Sequence, residues 1–336
     1  MGIDLALIWF VIIVFSIMMY IMMDGFDLGI GILYPMVKDK HDRDVMMNSV
    51  APVWDGNETW LVLGGAGLLG AFPLAYAIVL DALSIPLTLM LLALIFRGVA
   101  FEFRFKANHK QQHIWDKAFI CGSIITTFVQ GVVVGAFIQG FPVTNRTFMG
   151  GYFDWLAPFP LFCGFGLVVA YALLGCGWLI MKTKAHLRQT MYRIAGPLTF
   201  LMLIVIAIIS LWTPLLNQSI ADRWFTLPNI WFFLPVPLLV ILAAAIILHS
   251  VQQQKHDYRP FLAALLLIFL GFTGLGISIW PYLIPPVISF REAASAPESL
   301  GFMLVGALFI IPIILVYTYW SYYVFRGKIN PEQGYH

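Results

Sequence analysis

The chain has 336 residues, of which 61% are hydrophobic and 11% are charged, and its mean hydropathy is +0.88. Soluble domains carry about 25% charged residues, so this composition excludes them and predicts an all-α, polytopic membrane protein. A formal net charge of +2 excludes the strongly basic surface that nucleic-acid binding requires.

Nine apolar runs are long enough to cross a bilayer, and we predict one span in each. The first run has no basic residues before it and is too long for a signal sequence. We interpret the chain as a single membrane domain, with one four-helix unit in residues 1–139, a second in residues 156–284, and an extra helix in residues 299–325. The predicted spans are 5–37, 50–72, 74–104, 116–139, 156–182, 191–214, 229–250, 258–284 and 299–325.

The second predicted span decides where Asp55 lies. A helix that began at Asn57 would reach Phe72 after about 24 Å, at 1.5 Å per residue, which is too short to cross. Pro52 is a favourable first helical residue, and a helix that begins near it is long enough. We therefore expect Asp55 to be a buried carboxylate inside the membrane helix.

Basic residues are distributed unevenly between the two sides of the predicted spans. Sixteen of the nineteen Lys and Arg residues, Arg97 and Arg104 among them, fall on one side, and only Arg146, Arg223 and Arg291 fall on the other. Lys and Arg concentrate on the cytoplasmic side of membrane proteins. The bias predicts an N-terminus outside, a cytoplasmic C-terminus and an odd number of spans.

Two pairs of acids lie near the predicted cytoplasmic ends of the first two spans. Asp24 and Asp27 are three residues apart, as are Asp55 and Glu58, so each pair shares a helix face. Ionisable groups in hydrocarbon cost roughly 2.5–3.5 kcal/mol each, which favours a role in proton handling. Two alternatives stay open: Asp24 and Asp27 pair locally in a packed interface, and Asp55 only stabilises a helix N-terminus.

Three smaller signals accompany these acids. Gly25 and Gly29 form a pair of small residues that predicts the close approach of another helix. Glu102 and Lys106, four residues apart at the end of the third span, predict either an ordinary exposed ion pair or a collector of protons. Asp81 lies about seven residues into the same span and has no evident partner.

Residues that could hold a metal are placed unfavourably. A haem in the membrane needs an axial His or Met held within the helix bundle. Cys121, Cys163 and Cys176 are not spaced for a disulfide or a thiolate site, and the methionines of the first span are interpreted as packing. We therefore expect this chain to bind no metal alone. The seven histidines fall in predicted loops or at helix ends: His41, His109, His113, His186, His249, His256 and His336.

Three motifs occupy residues 20–106. They are DGFDLGIG at 24–31, APVWDGN at 51–57 and FRGVAFEFR at 96–104. Together, at these distances, they resemble subunit II of the cytochrome bd-type quinol oxidases, including the cyanide-insensitive oxidase branch. The predicted nine spans fit the same family over the whole chain.

The resemblance implies a respiratory heterodimer in the bacterial cytoplasmic membrane that oxidises quinol and reduces oxygen to water. Subunit I would carry haems b and d, and subunit II would support it and line a proton path from the cytoplasm. The resemblance assigns Asp55 to this path and Glu102 and Lys106 to its beginning, although many members have aspartate in place of Glu102. With the other acids, the expected proton pathway is Asp55, Glu58, Glu102, Lys106, Asp24 and Asp27.

The family also admits other ligands and partners. Some members hold a structural ubiquinone in this subunit, but no residue set identifies such a site here. Small single-span accessory subunits and membrane lipid are further expected partners.

Two other functions stay open at this point. A proton- or cation-coupled secondary transporter would show broken helices in both halves of the chain, whereas the acids here lie in one half. A purely structural partner would use the same acids only in interhelical hydrogen bonds.

Overall fold

The computed structural model describes residues 4–108 and 110–329. Its α-helices are α1 Leu5–Leu33, α2 Lys40–Asn48, α3 Trp54–Ala71, α4 Pro73–Lys106, α5 Gln112–Gln139, α6 Pro158–Lys182, α7 Ala185–Leu216, α8 Gln218–Phe225, α9 Asn229–Phe233, α10 Pro235–Gln253, α11 Arg259–Ile279, α12 Phe290–Ala293 and α13 Pro297–Val324. Short 3₁₀ helices occur at Tyr34–Met36 and Asp154–Leu156. Two antiparallel hairpins pair β1 Val143–Thr144 with β2 Thr147–Phe148, and β3 Tyr282–Ile284 with β4 Ile288–Ser289. The predicted all-α membrane fold is confirmed.

Eight helical segments in the described ranges are long and apolar enough to cross a membrane. They match eight of the nine predicted spans. The ninth, α3, has 18 residues, about 27 Å at 1.5 Å per residue, but its acids and glycines make it less apolar. α3 packs antiparallel to α1, because Asn57 contacts Met23 and Gly67 faces Ile13. We therefore treat α3 as crossing with α1.

Several predicted boundaries differ from the structure. α3 begins at Trp54, two residues after Pro52, so Asp55 lies inside the helix as predicted, in its first turn. The sixth predicted span, 191–214, is longer in the structure, where α7 covers Ala185–Leu216. The eighth span ends at Ile279 rather than at 284, because Pro281 cannot continue the helix, and residues 282–284 form β3 instead.

Glycines bring α6 against both α1 and α5. A Cβ on Gly29 would lie 1.9 Å from the carbonyl oxygen of Tyr171, and one on Gly131 would lie 2.5 Å from that of Cys163. Only glycine permits such approach of two backbones. The close approach predicted at Gly25 and Gly29 is confirmed, and α6 is the helix that approaches. The division into units 1–139 and 156–284 stays a prediction.

Candidate functional site

Four charged side chains from three helices meet inside the bundle. Arg97 of α4 donates from Nη2 to Asp24 Oδ1 at 2.7 Å and from Nη1 to Asp24 Oδ2 at 3.2 Å. Its Nη1 also donates to Glu58 Oε1 of α3 at 2.7 Å. Asp27 Oδ2 lies 3.7 Å from Arg97 Nη2. We call Asp24, Asp27, Glu58 and Arg97 the acid cluster.

The acid cluster is sealed from water by helix packing. The side chains of Asp24, Asp27 and Arg97 are 0% exposed, whereas that of Glu58 is 23% exposed. A Cβ on Gly122 of α5 would lie 3.0 Å from the Cβ of Arg97, so this glycine lets α5 cover the arginine. Glu58 is therefore the member through which the cluster reaches the surface of the chain.

Asn57 connects the cluster to the last helix. Its Nδ2 donates to Asp27 Oδ2 at 2.7 Å and to the carbonyl oxygen of Met23 at 3.2 Å. Its Oδ1 accepts a hydrogen bond from the hydroxyl of Tyr322 at 2.9 Å. Through Tyr322, α13 therefore contacts the site that α1, α3 and α4 build. Asp27 Oδ1 and Arg97 Nε have no hydrogen-bond partner in the described parts of the chain.

The charges of the acid cluster do not balance. Three carboxylates surround one guanidinium, so the fully ionised cluster would carry a net charge of −2 in an apolar interior. Burying an uncompensated charge is expensive unless the group is neutralised. The arrangement therefore favours binding of protons by the carboxylates, and a cluster of this kind can take up and release them.

Asp55 and Asp81 lie on the outer surface of the chain. Asp55 is exposed in the first turn of α3, so the expectation of a carboxylate buried in this chain is wrong: its position directs it away from the bundle, while Glu58, one turn later, reaches inward. Asp81 is exposed on α4 together with Ser84 and Thr88. α4 is kinked at Leu83, between the first two of these residues; all three are exposed on the same helix, and we call them the polar stripe.

Glu102 and Lys106 form an exposed ion pair. Lys106 Nζ lies 3.6 Å from Glu102 Oε2, and their side chains are 79% and 53% exposed. This is the ordinary surface pair that one alternative predicted. The preceding residue, Phe101, stacks on Trp54 with ring centroids 5.1 Å apart. The start of α3, with Asp55, therefore lies beside the segment of α4 that carries Glu102.

The cation at the centre of the site, Arg97, was not predicted. The Lys and Arg bias counts Arg97 and Arg104 among the basic residues flanking the membrane, but both are buried. Arg104 forms ion pairs with Asp116 at 2.6 Å and with Asp44 at 2.7 Å. One signal was available: Arg97 falls well inside the third predicted span, where an arginine requires acids on neighbouring helices.

The histidines that the structure describes lie at helix ends or in connections. His41 lies in α2, His113 at the start of α5, His186 at the start of α7 and His249 in the last turns of α10, with His256 in the following turn. His109 and His336 lie outside the described residues. Within the described ranges, no group of three His, Cys, Asp or Glu side chains is arranged to hold a metal ion.

Comparisons with known proteins agree with this architecture. A model of the family described as cytochrome bd terminal oxidase subunit II matches residues 5–325. The chain is 28% identical to the probable cytochrome oxidase subunit 2 of Haemophilus influenzae, over 97% of this chain and 95% of that protein. It is 26% identical to the cytochrome bd-I ubiquinol oxidase subunit 2 of Escherichia coli (strain K12), over 98% and 96%.

Two further matches come from other organisms. The chain is 26% identical to the cytochrome bd ubiquinol oxidase subunit 2 of Bacillus subtilis (strain 168), over 97% of each chain. The solved bd oxidase of Geobacillus thermodenitrificans contains a chain with the same fold, with a TM-score of 0.75, 16% identity, and coverage of 97% of this chain and 100% of that one. These matches give no support to the transporter alternative.

Proposed function

The chain belongs to the family of cytochrome bd terminal oxidase subunits II, and from this premise we propose that it is the proton-conducting, haem-free subunit of a quinol:oxygen oxidoreductase. The enzyme oxidises quinol and reduces oxygen to water in the respiratory chain. The observation that carries the proposal is the acid cluster, in which Asp24, Asp27 and Glu58 share the single cation Arg97.

The cluster stores protons because its charges are unequal. Arg97 is held bidentately by Asp24 and once by Glu58, whereas Asp27 has only the 3.7 Å ion pair and the hydrogen bond from Asn57. Asp27 is thus the least compensated carboxylate. Proton transfer at each step needs groups within hydrogen-bond reach or one water molecule away, and Glu58 and Asp24 share Arg97 Nη1 as a hydrogen-bond donor.

Glu58 and Asp55 connect the cluster to the outer face of α3. They are three residues apart on one helix, so they lie on neighbouring positions of its surface. We propose that protons enter beside Glu102 and Lys106, pass Asp55 and Glu58, and are delivered across the surface of α3 to the oxygen site of the partner. The Trp54–Phe101 stack fixes α3 against α4 at the beginning of this route.

The exposed acids of α3 and α4 mark the surface that faces the partner. Placing an ionisable group against lipid costs free energy. Asp55 and the polar stripe are exposed when this chain is considered without a partner. A haem-bearing subunit I packed on this face would cover both. In the complex, haems b and d are carried by that subunit, where they supply the electron transfer to oxygen; this chain contributes proton access and support.

The setting of the complex follows from the same family. We propose that it lies in the bacterial cytoplasmic membrane with the C-terminus of this chain in the cytoplasm, as the Lys and Arg bias indicates. A structural ubiquinone in this subunit and small single-span accessory subunits are compatible with it, and no described residue set favours either.

A purely structural role is the second candidate, and one observation favours it. Arg97 has three close hydrogen bonds, as expected of a group that locks α1, α3 and α4 together. Both roles predict that loss of Arg97 harms the complex, so the test must remove a proton site without removing a hydrogen bond.

Glu58→Gln provides that test. Gln retains an Oε1 acceptor for Arg97 but cannot titrate. In the purified complex, quinol-driven oxygen consumption should fall at least tenfold, equivalent to about 1.4 kcal/mol in the barrier, with haem absorbance unchanged. Glu298→Gln, an exposed acid in the first turn of α13, is the matched control and should keep full activity. Full activity of Glu58→Gln with normal haem content would favour the structural role.

A further inference from the structure

A groove of about 530 Å³ lies between α10 and α11, away from the acid cluster. Its walls are largely apolar and include Ile246, Leu262 and Leu266. Arg259 and His249 line its other end, where α10 ends and α11 begins. The groove therefore has an apolar body and a cationic end, which is the polarity of a lipid with an acidic headgroup.

The cationic end has no internal counter-charge. Arg259 is exposed, and its guanidinium has no ion pair or hydrogen bond with the described residues. Asp257 is the one acid in the segment 249–266, and it is already engaged by Arg188, Lys328 and the hydroxyl of Tyr192. The nearest acid in the sequence thus cannot neutralise Arg259.

The connection between the two helices adds to this positive charge. Lys255 is exposed in it. Basic pockets between membrane helices near the membrane surface attract anionic lipid headgroups.

We propose that this groove binds one anionic phospholipid, with its phosphate on Arg259 and His249 and an acyl chain along Ile246, Leu262 and Leu266. A free phosphate would use only the cationic end, and an uncharged quinone could accept hydrogen bonds there but would leave the charge of Arg259 uncompensated. The lipid uses both parts of the groove. This proposal is independent of the proton pathway, because α10 and α11 contribute no side chain to the acid cluster.

Photolabelling in lipid bilayers tests the proposal. The tagged complex is placed in phosphatidylcholine nanodiscs that contain a trace of phosphatidylglycerol with a photoreactive acyl chain, and labelled peptides are mapped. Residues 245–266 should be labelled about fivefold more strongly than by the same photoreactive chain on phosphatidylcholine, the factor that one favourable charge contact provides. Arg259→Gln combined with His249→Gln should reduce labelling to the phosphatidylcholine level.

A control substitution and two competing ligands test whether the labelling is specific for an anionic lipid in this groove. Lys117→Gln removes an exposed positive charge on α5, outside the groove, and should leave labelling unchanged. Equal labelling by the two lipids in the unaltered chain would overturn the proposal, as would undiminished labelling of the double variant. Loss of labelling on adding millimolar inorganic phosphate, or on adding ubiquinone, would also overturn it by assigning the site to that ligand. If the double variant fails to assemble, increased ionic strength on the unaltered complex should weaken phosphatidylglycerol labelling selectively.

Discussion

Removal of Arg97 should destabilise the complex more than removal of any exposed arginine. Arg97→Gln deletes the cation that contacts Asp24 and Glu58 at 2.7 Å and Asp27 at 3.7 Å. Two carboxylates that are 0% exposed are then left without a counter-charge. Breaking a buried ion pair by removing one partner costs about 3–5 kcal/mol.

This free energy translates into a measurable shift of the unfolding temperature. At about 2 °C per kcal/mol, the lower end of the range for larger chains, the midpoint should fall by about 6–10 °C. The assay is tryptophan fluorescence of the purified complex during heating at one fixed scan rate, because large membrane complexes unfold irreversibly. Arg326→Gln, an exposed arginine at the end of α13, is the matched control and should shift the midpoint by less than about 1 °C, since surface substitutions stay within about 0.5 kcal/mol.

A second substitution distinguishes lost charge balance from lost packing. Adding Asp24→Asn to Arg97→Gln removes one of the two buried carboxylates that have lost their counter-charge. Because the two sites are coupled, the double variant should recover about half of the decrease in unfolding temperature. An unchanged midpoint for Arg97→Gln, or a double variant that is worse by the sum of both single changes, would refute the charge argument.

Three further predictions concern the rest of the chain. Burial opposes ionisation of Asp257, but hydrogen bonds from Lys328, Arg188 and Tyr192 outweigh it and lower its pKa; this stabilisation is therefore present above about pH 4 and is lost as the pH falls through the lowered value. Asp257→Asn should accordingly make residues 325–329 accessible to protease at pH 7, and unchanged cleavage would contradict this. Asp81→Leu should be tolerated by the isolated chain but lower the yield of complex with subunit I, if the polar stripe is covered there; an unchanged yield would contradict that assignment. A cytoplasmic reporter fused to the C-terminus should be active and a periplasmic one inactive, as the Lys and Arg bias requires, and the reverse result would place the acids on the wrong side for proton uptake.

The sequence predicted the spans well, because hydropathy reports directly on which segments enter a membrane. Eight spans follow from composition, and α3 was recognised by its length and by the cost of placing acids there. Helix ends were less predictable: α3 begins at Trp54, two residues after Pro52. The exposure of Asp55 could not be predicted from span length, because it depends on which face of α3 the residue occupies.

The candidate site was predictable only in part, because a sequence shows which residues are charged but not which way their side chains point. Asp24, Asp27 and Glu58 were predicted together with Asp55 as two pairs of acids. Arg97 was interpreted as a flanking residue, because the positive-inside rule counts basic residues regardless of what they contact. Asn57 and Tyr322 were missed because their link spans 265 residues. The spacing of Ser16, Tyr20, Asp24 and Asp27 on one face of α1, all of them buried, was the pattern that could have indicated a polar core.

Proton uptake during turnover tests the central claim most directly. The complex with Asp55→Asn keeps the size and hydrogen bonding of the side chain but loses the titratable group. In vesicles with the cytoplasmic side outward, an oxygen pulse should produce proton uptake and oxygen consumption that are both at least tenfold slower than normal, with haem content unchanged, and Asp55→Glu should restore much of both rates. Normal rates in Asp55→Asn would contradict the claim that this chain carries protons through Asp55.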